Sequence, residues 1–328
     1  ITSLKEYLMS LSPIPIPIHL ATNTCWLLPL DKNDSWLLVD AGPDLVSHSS
    51  PEFSWDLLSA QLAQHELIPS NIKKVLITHE HIDHAGLASR WAKEGATILV
   101  HPEAISTLTK GIRAFEDDRE NRFSYLVQRG VPSSIVDEIK SQTNTNSMWW
   151  IPCPENALHP ILDQHEIMLR NHETLVIHYA PGHTRGNLVA VTSTSKLLFS
   201  GDTVLEHTIP TAGLHLGLES LNEFESVQHW PSLPLFIQSV KKLAQSDIQV
   251  IYPGHGTAIY DPDKAFNRFI LHHSKRAKKV MMASETVGTD NPYLIAKHMF
   301  PRLGNRRLAQ AMIEIIGHQD LKQVQDLN

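Results

Sequence analysis

The amino-acid sequence predicts an α/β fold, in which strands and helices alternate along the chain. In the first half, short apolar runs typical of strands are separated by segments whose apolar residues have helical spacing. Five more strand-like runs follow in the second half, beginning with EIMLR at residue 166. A chain of 328 residues with 42% hydrophobic residues is enough for one large domain, or two smaller ones, with a buried core.

The first predicted element is a hairpin. The apolar runs CWLLPL and WLLVDAG flank the polar turn DKNDS, which is the pattern of two paired strands. Residues 51–68 then have helical spacing, and Pro51 falls in the first turn, where its missing N–H is harmless. The run KKVLIT at 73–78 predicts a strand, residues 85–94 predict a helix, and ATILVHP at 96–102 predicts another strand.

Residues 103–150 are charged, have helical patterning and contain no run that suits a strand. We predict a helical insertion on the surface, which is either a lid or a plain connecting excursion. Strands resume with EIMLR, TLVIHYA, NLVAVTS and KLLFSGD, followed by a helix from Leu233 and a strand at 248–252. Because the remainder is helical, we predict a main domain over 1–262 and a C-terminal helical segment over 263–328.

The charge of the chain is unevenly distributed. The net charge of −7 argues against a protein built to coat nucleic acid. From Lys264 to the C-terminus, however, there are eleven Lys or Arg residues and five Asp or Glu residues. A basic helical face that docks on an acidic body explains this balance, and an anion-binding patch is the alternative.

The two cysteines and the N-terminal segment bear on the cellular location. Cys25 and Cys153 are too few for a disulfide framework or a thiolate cluster, and we interpret both as small buried apolar side chains. The segment ITSLKEYLMSLSPIPIPIHL has prolines in its apolar stretches and is unlike a signal peptide. No apolar run approaches the roughly 20 residues of a membrane span. These features favour a cytoplasmic protein with no membrane contact.

Four potential metal ligands fall within six residues, directly after the strand at 73–78. They are His79, His81, Asp83 and His84. Alternate side chains on an extended segment point the same way, so His79 and His81 can reach one ion together. The turn into the following helix would carry Asp83 and His84 to a second position. Imidazole and carboxylate ligands without thiolate suit zinc, iron or manganese.

Three later strands each end in a glycine-containing turn that carries a further potential ligand. The turns are Tyr179-Ala180-Pro181-Gly182-His183, Phe199-Ser200-Gly201-Asp202 and Tyr252-Pro253-Gly254-His255-Gly256. Glycine permits a sharp bend, so the ligand can point back towards a common centre. One Pro-Gly-His turn is usually only a turn, but the four elements together predict a metal centre.

The segments THEHIDHAG, APGHTRGN, FSGDT and YPGHG together resemble the motifs of the metallo-β-lactamase superfamily, over residues 20–260. The resemblance implies a four-layer αββα sandwich. It implies two divalent metal ions with seven ligands: His79, His81 and His183 for the first ion, Asp83, His84 and His255 for the second, and Asp202 as the bridge. VDAG at 39–42 is similar to the Asp-x-Gly that supports the ligands in this family.

The C-terminal segment has a less specific likeness. ILHHSKR at 270–276 and AKHMF at 296–300 resemble the helical, winged-helix-like segment of a glyoxalase II-like subgroup, which also includes β-lactamase-like endoribonucleases. A plain helical cap is the alternative. If the tail is such a cap, His272 and His273 are ordinary surface histidines, which is the interpretation that we favour for these two residues.

The predicted chemistry is hydrolysis by a hydroxide that two metal ions share. Two ions about 3.5–4 Å apart lower the pKa of a shared water towards about 7. Asp83 is placed to orient this hydroxide and to pass a proton to the leaving group. Zinc is the favoured metal, with iron and manganese as alternatives.

The substrate is predicted less sharply than the reaction. The likeness to glyoxalase II favours a thioester or another acyl ester of a small molecule. RNA or another phosphodiester is an alternative because of the basic tail. A lactone is a weaker candidate for the substrate, since the lactonases of the superfamily carry a tyrosine where this chain has Leu205. A metal-bound module that binds a ligand without turnover is a further alternative. The sequence assigns no substrate contact and no oligomeric state.

Six aromatic or histidine side chains are candidates for the mouth of the pocket, although ordinary loop and core positions explain them more readily. They are His207, His215, His229, Trp149, Trp150 and Trp230.

Overall fold

The structure, a computed structural model, describes residues 14–32, 34–44, 53–142, 150–216 and 229–326. Within these residues the chain forms two β-sheets that pack face to face, with helices on both outer faces. The predicted four-layer αββα arrangement is therefore confirmed.

The first sheet contains strands β1 to β6, side by side in chain order. Their bounds are β1 Ile16–Leu20, β2 Asn23–Pro29, β3 Trp36–Val39, β4 Ile72–Leu76, β5 Thr97–Val100 and β6 Leu158–Pro160. The first three strands are antiparallel, and β3 to β6 are parallel. Because β2 is buried on both faces, its run of apolar residues does not alternate with polar ones.

The second sheet has the strand order β11-β10-β9-β8-β7. Its strands are β7 His165–Met168, β8 Thr174–Tyr179, β9 Leu188–Thr192, β10 Leu197–Gly201 and β11 Val250–Pro253. Neighbours are antiparallel except β10 and β11. The core between the two sheets is apolar, with Leu28, Leu37 and Leu76 from the first sheet against Ile177 and Phe199 from the second.

The helices form the outer layers and the tail. Their bounds are α1 Phe53–Gln64, α2 Ile82–Ala85, α3 Ala88–Lys93, α4 Pro102–Lys110, α5 Ile112–Gln128, α6 Ser133–Gln142, α7 Ser232–Ala244, α8 Pro262–Val287, α9 Pro292–Met299 and α10 Asn305–Asp326. Helices α1, α3 and α4 cover the first sheet. Helices α7 and α8 cover the second sheet through side chains such as Phe236 and Phe269.

Two strands are not predicted by the sequence, and both lie at the edges of the first sheet. Strand β1 contains Pro17, and β6 ends at Pro160. Proline cannot donate a hydrogen bond to a neighbouring strand, so it breaks the sequence pattern of a strand. At an edge it is tolerated because one side of the strand is unpaired. The edge position therefore explains why the pattern was misleading.

The helical insertion packs against the C-terminal tail. In a shared apolar core, Phe123 and Leu126 of α5 meet Val280 of α8 and Met312 of α10. The insertion is helical as predicted up to residue 142, and residues 143–149 lie outside the described part. The described part of the tail contains helices and no strand, so the winged-helix likeness is not confirmed. The division of the chain at residue 262 stays a prediction.

His273 corrects the prediction of a surface pair in the tail. Its side chain is buried, and its ring packs on the edge of Phe269 with a centroid distance of 4.6 Å. Its Nδ1 lies 3.3 Å from Nε2 of His318, which is also buried. Phe266, Phe269 and His273 lie on one face of α8 that faces the protein interior. His272, on the neighbouring face, is half-buried.

We expect the free energy of unfolding to fall as the pH is lowered from about 6.5 to about 4. Burial lowers the pKa of His273 to about 3 and that of His318 to about 4, from the ordinary value of 6.5. The unfolded chain therefore binds these protons at a higher pH than the folded chain does. The contribution of each histidine to the free energy of unfolding is complete above the pKa that the histidine has in the unfolded chain. It is lost as the pH falls below that value, by at most about 1.4 kcal/mol per pH unit for each histidine.

Urea unfolding at several pH values, compared with His318→Asn, tests this expectation. The variant should lose stability less steeply with falling pH, because it has one buried histidine fewer. Equal slopes for the two proteins would contradict the assignment.

Cys25 and Cys153 are both buried, as predicted. None of the helices in the described part of the chain combines the length and the hydropathy that crossing a bilayer requires.

Candidate metal centre

The structure brings all seven predicted ligands together at one end of the sandwich, where four strands end. The group from His79 to His84 follows β4 and extends into α2. His183, Asp202 and His255 follow β8, β10 and β11. Three overlapping sets of ligand atoms each lie within 4.8 Å of one another: His79, His81 and His183; Asp83, His84 and His255; and His79, His84 and Asp202.

The first set consists of three imidazoles. Nε2 of His79 lies 3.0 Å from Nδ1 of His81, and Nε2 of His183 lies 3.1 Å from the same atom. Bonds of about 2.0–2.1 Å at tetrahedral angles place two ligand atoms about 3.3 Å apart. The three nitrogens therefore have the spacing of ligands to one ion.

The second set combines two imidazoles and a carboxylate. Nε2 of His84 lies 3.2 Å from Nε2 of His255. Oδ2 of Asp83 lies 3.3 Å from Nε2 of His255 and 3.6 Å from Nε2 of His84. The spacing again suits a single ion. The Asp83 side chain is 39% exposed, whereas that of His84 is 1% exposed, so Asp83 lies on the solvent side of the set.

Asp202 lies between the two sets. Its Oδ2 is 3.7 Å from Nε2 of His183 and 3.5 Å from Nε2 of His255, and its Oδ1 is 3.4 Å from Nε2 of His84. Oδ1 is buried and accepts no hydrogen bond from the described residues. An ionised oxygen buried without a partner is costly, and a cation would supply that partner. The donor atoms and this unsatisfied oxygen therefore fit a bound metal.

Asp40, at the end of β3, orients His84 from behind. Nδ1–H of His84 donates to Oδ2 of Asp40 at 2.8 Å. The backbone N–H of Thr78 donates to Oδ1 at 2.8 Å, and the Thr78 hydroxyl donates to Oδ2 at 3.1 Å. With its proton on Nδ1, His84 presents the lone pair of Nε2 to the centre. Asp40 has a φ of +65°, a conformation that aspartate tolerates better than most residues.

Backbone carbonyls orient two further imidazoles in the same way. Nδ1–H of His183 donates to the carbonyl oxygen of Thr211 at 2.7 Å, and Nδ1–H of His255 donates to that of Thr22 at 2.9 Å. A carbonyl can only accept, so the proton sits on Nδ1 in both rings. Each Nε2 is then free to bind a cation.

The electrostatics of the centre favour the ligand forms of His81 and Asp202. Burial lowers the pKa of His81 to about 3, so its imidazole is neutral. Burial raises the pKa of Asp202, but His84 and the neighbouring histidines outweigh it and hold the pKa at about 2. Burial lowers the pKa of His84, yet Asp40 and Asp202 raise it well above its ordinary value. The negative groups that favour a proton on His84 also favour a metal cation beside it.

Two residues at the centre were not assigned a role from the sequence. The amide of Asn23 donates to Oδ2 of Asp83 at 3.2 Å, although the two are 60 positions apart. The buried carboxylate of Glu80 accepts hydrogen bonds from the Thr184 hydroxyl at 2.7 Å and the Gly186 N–H at 3.3 Å. Asn23 carries no sequence signal, because polar residues at the start of an apolar strand are common. Glu80 lies within the ligand motif, but its partners are more than 100 positions away.

Gly254 is required by the closeness of the ligands and not by its φ angle. A Cβ atom at this position would lie 2.5 Å from Cε1 of His84 and 3.1 Å from Oδ1 of Asp202. Any side chain would therefore displace two of the predicted ligands. The sequence indicates the turn, whereas only the structure shows this contact.

The candidates for the pocket mouth are mostly core residues. Trp150, His229 and Trp230 are buried, and the ring of His215 packs on Trp230 with a centroid distance of 5.6 Å. The side chain of His207 is 80% exposed and lies 3.3 Å from a carboxylate oxygen of Glu206. Trp149 lies outside the described residues.

The family sequence model of the metallo-beta-lactamase superfamily matches residues 22–255, a span that includes all seven predicted ligands. The chain belongs to the metallo-beta-lactamase superfamily. This membership confirms the resemblance drawn from the four motifs, and with it the prediction of a metal-dependent hydrolase. The glyoxalase II-like subgroup stays a prediction.

Relatives of this metallo-beta-lactamase superfamily member include the probable metallo-hydrolase YqjP of Bacillus subtilis. The two are 24% identical over 317 residues, which cover 95% of this chain and 91% of the relative. The chain is also 25% identical over 109 residues to an atrochrysone carboxyl ACP thioesterase of Aspergillus fumigatus, a stretch that covers 33% of this chain and 29% of that protein.

Among solved structures, a metallo-beta-lactamase family protein from Thermus thermophilus has a similar fold. The TM-score is 0.68 at 23% sequence identity, and the match covers 96% of this chain and 92% of that one. The shared fold therefore extends beyond the matched family region into the C-terminal tail.

Proposed function

We propose that the protein is a dinuclear metal-dependent hydrolase that cleaves a thioester or another acyl ester of a small molecule. The observation that carries the proposal is the position of Asp202, whose Oδ2 lies near His183 of the first set and His255 of the second, and whose Oδ1 lies near His84. We assign His79, His81 and His183 to one ion, Asp83, His84 and His255 to the other, and Asp202 to both. The mixed imidazole and carboxylate set suits zinc, and iron or manganese are the alternatives.

Divalent ions held in this way would activate water at neutral pH and polarise the acyl carbonyl. The protein itself supplies no nucleophilic thiol for this reaction. Cys25 and Cys153 are buried, and burial raises the pKa of Cys153 to about 11 and that of Cys25 well above its ordinary value. Neither thiol therefore forms the thiolate that covalent catalysis requires.

We assign the proton transfer to Asp83. Burial raises the pKa of its carboxyl, but the neighbouring His255 and His84 and the amide of Asn23 outweigh burial and hold the pKa well below its usual range. The carboxylate is thus ionised and partly exposed on the solvent side of the centre. It can accept the proton of the attacking water and donate it to the leaving thiol or alcohol. The amide of Asn23 holds its Oδ2 in place.

The choice of an acyl substrate is supported by one of the relatives. The Aspergillus fumigatus protein is named as a thioesterase, and its 109-residue match to this chain shows that related sequences occur in a thioester hydrolase. Leu205 is buried where the lactonases of the superfamily have a tyrosine, so a lactone is the weaker choice. A module that only binds its ligand is the weakest choice, because the chain retains a complete set of donors.

A phosphodiester is the second candidate, and one surface feature favours it. Lys275, Lys278 and Lys279 are exposed on α8 and could contact phosphates. Arg276, the fourth basic residue of that segment, is instead paired with Glu314, with Nε 2.9 Å from a carboxylate oxygen. The basic surface is therefore smaller than the sequence indicated.

A panel of substrates offered to the zinc-loaded protein tests the proposal. We expect an acyl thioester to be hydrolysed with a higher kcat/KM than its matched oxygen ester, a lactone or a short RNA. A chelator should remove the activity, and added zinc should restore it. Hydrolysis of RNA without thioester hydrolysis, weakened in Lys278→Ala, would instead identify a nuclease.

A further inference from the structure

We infer that the C-terminal helix α10 positions the predicted metal ligand His183 through a buried network of Tyr125, His229 and Asp320. The inference rests on the proposed role of His183 as a ligand, and it is independent of the substrate. It gives the tail an indirect role in positioning a predicted metal ligand.

The network joins three side chains that are almost fully buried. Their exposed fractions are 4% for Tyr125, 3% for His229 and 5% for Asp320. Nε2 of His229 lies 3.0 Å and 2.8 Å from the two carboxylate oxygens of Asp320. The Tyr125 hydroxyl lies 2.8 Å from Nδ1 of His229. The guanidinium of Arg129 approaches the same nitrogen at 3.3 Å and lies 5.1 Å from the centre of the Tyr125 ring.

These partners determine the tautomer of His229. A guanidinium can only donate, so Nδ1, which faces Arg129, is the acceptor, and the Tyr125 hydroxyl also donates to it. Nε2 then carries the proton and donates a hydrogen bond to Asp320. Each ring nitrogen of His229 is satisfied, and the imidazole is held in one orientation.

The three residues come from three separate parts of the chain. Tyr125 lies on α5 of the insertion, His229 precedes α7, and Asp320 lies on α10. Burying a carboxylate is costly unless its partners are well placed, so Asp320 requires His229 close by. Conversely, a loss of Asp320 leaves His229 with an unsatisfied buried N–H. The network therefore specifies one relative arrangement of the insertion, the tail and the segment that contains His229.

The segment that contains His229 is connected by backbone contacts to the loop at 211–216. Leu216 and His229 form an antiparallel bridge. The N–H of Trp230 donates to the carbonyl oxygen of His215 at 2.9 Å. The aromatic ring of Trp230 packs on the imidazole of His215. The position of the loop is therefore coupled to that of His229.

The other end of this loop contacts His183. The carbonyl oxygen of Thr211 accepts the Nδ1–H of His183 at 2.7 Å. The N–H of Gly213 donates to the backbone oxygen of His183 at 3.1 Å. Residues 211–215 belong to no strand or helix, so their positions depend on such contacts. A shift of His229 would consequently turn the His183 ring and move its Nε2 relative to His81.

Asp320→Asn tests this inference, with zinc affinity as the measurement. The change keeps the shape of the side chain and removes the charge that His229 Nε2–H contacts. We expect zinc affinity, measured by competition with a chelating dye, to fall about tenfold or more, as is typical for residues that orient metal ligands. The absorption spectrum of the cobalt-loaded protein should also change, because the ligand geometry changes. Tyr125→Phe should weaken zinc binding less, and the two changes should not be additive.

Glu314→Gln is the matched control on the same helix. The Glu314 carboxylate pairs with Arg276 of α8, away from the loop, so its loss should leave the zinc affinity and the cobalt spectrum unchanged. An equal loss of zinc affinity in Glu314→Gln would overturn the inference, since it would indicate a general effect of the tail on stability. Unchanged zinc affinity in both Asp320→Asn and Tyr125→Phe would also overturn it.

These outcomes are separate from a failure of the proposed function. A wild-type protein that binds no transition metal would contradict the proposed function itself. A wild-type protein that binds zinc and hydrolyses thioesters, with an Asp320→Asn variant of equal zinc affinity, would contradict only the role of the tail. If Asp320→Asn does not fold, Tyr125→Phe provides the decisive zinc measurement, because it removes only one hydroxyl.

Discussion

His81→Ala is expected to remove nearly all hydrolytic activity and to lower the metal content of the purified protein. Nδ1 of His81 lies within 3.1 Å of Nε2 of both His79 and His183, so it occupies the shared corner of the first set of ligands. Without it, an ion bound there keeps only two imidazoles of the set. We expect kcat/KM to fall at least about a thousandfold, equivalent to about 4 kcal/mol of transition-state stabilisation.

Asp202→Ala should have the same two effects, for a different reason. Its carboxylate faces both sets of ligands, and no other described carboxylate does so. If two cations are bound as we propose, the loss of Asp202 would remove the negative charge that offsets their mutual repulsion. Elemental analysis should therefore find less metal per chain than in the wild type.

An exposed histidine provides the control for both variants. His65 lies on the surface at the end of α1, and His65→Ala should leave both the hydrolytic rate and the metal content unchanged. Circular dichroism establishes that each variant is folded before its activity is compared. Full activity in either His81→Ala or Asp202→Ala would contradict the assignment of the centre.

Asp40→Asn is expected to lower metal affinity by about tenfold to a hundredfold, although we do not assign Asp40 as a ligand. Asparagine retains one oxygen, which can still accept the N–H of Thr78. Its amide group then faces the Nδ1–H of His84, so that two donors oppose each other. His84 can relieve this only by moving its proton to Nε2, which removes the lone pair aimed at the centre.

The effect of Asp40→Asn should differ from that of Asp40→Ala. Alanine leaves the N–H and hydroxyl of Thr78 and the Nδ1–H of His84 without their acceptor, at a cost of about 1–3 kcal/mol for each buried group. Urea unfolding should thus show a larger loss of stability for alanine, while dye competition shows weaker zinc binding for both. Asp56→Asn, at an exposed site on α1, is the control. Zinc affinity equal to the wild type in both Asp40 variants would refute the orienting role.

The sequence predicted the interior of the fold better than its edges. The two-sheet core follows from apolar runs such as CWLLPL, because strands buried on both faces must be apolar throughout. Strands β1 and β6 were missed, because the prolines that break their pattern are acceptable only where one side of a strand is unpaired. Whether a strand lies at an edge depends on its neighbours, which are distant in sequence.

Histidines in the tail illustrate the same difference. His272 and His273 are adjacent and chemically identical, yet the first is half-buried and the second is buried against Phe269 and His318. No local pattern distinguishes them, because burial depends on which face of α8 the other helices cover. The prediction of a surface pair was wrong for His273 for this reason.

By itself, the sequence determined the fold class, the superfamily and the set of side chains that meet at the centre. These features depend on short-range geometry, since an extended segment aligns His79 with His81 and glycine turns end the later strands. The family resemblance had indicated Asp40 as a support of the ligands, but only the tertiary structure decided which groups orient the other imidazoles. The Thr22 carbonyl, which accepts from His255, lies 233 positions away along the chain, and Asp320 lies 91 positions from His229. Such contacts depend on how distant segments pack, and no spacing along the chain encodes them.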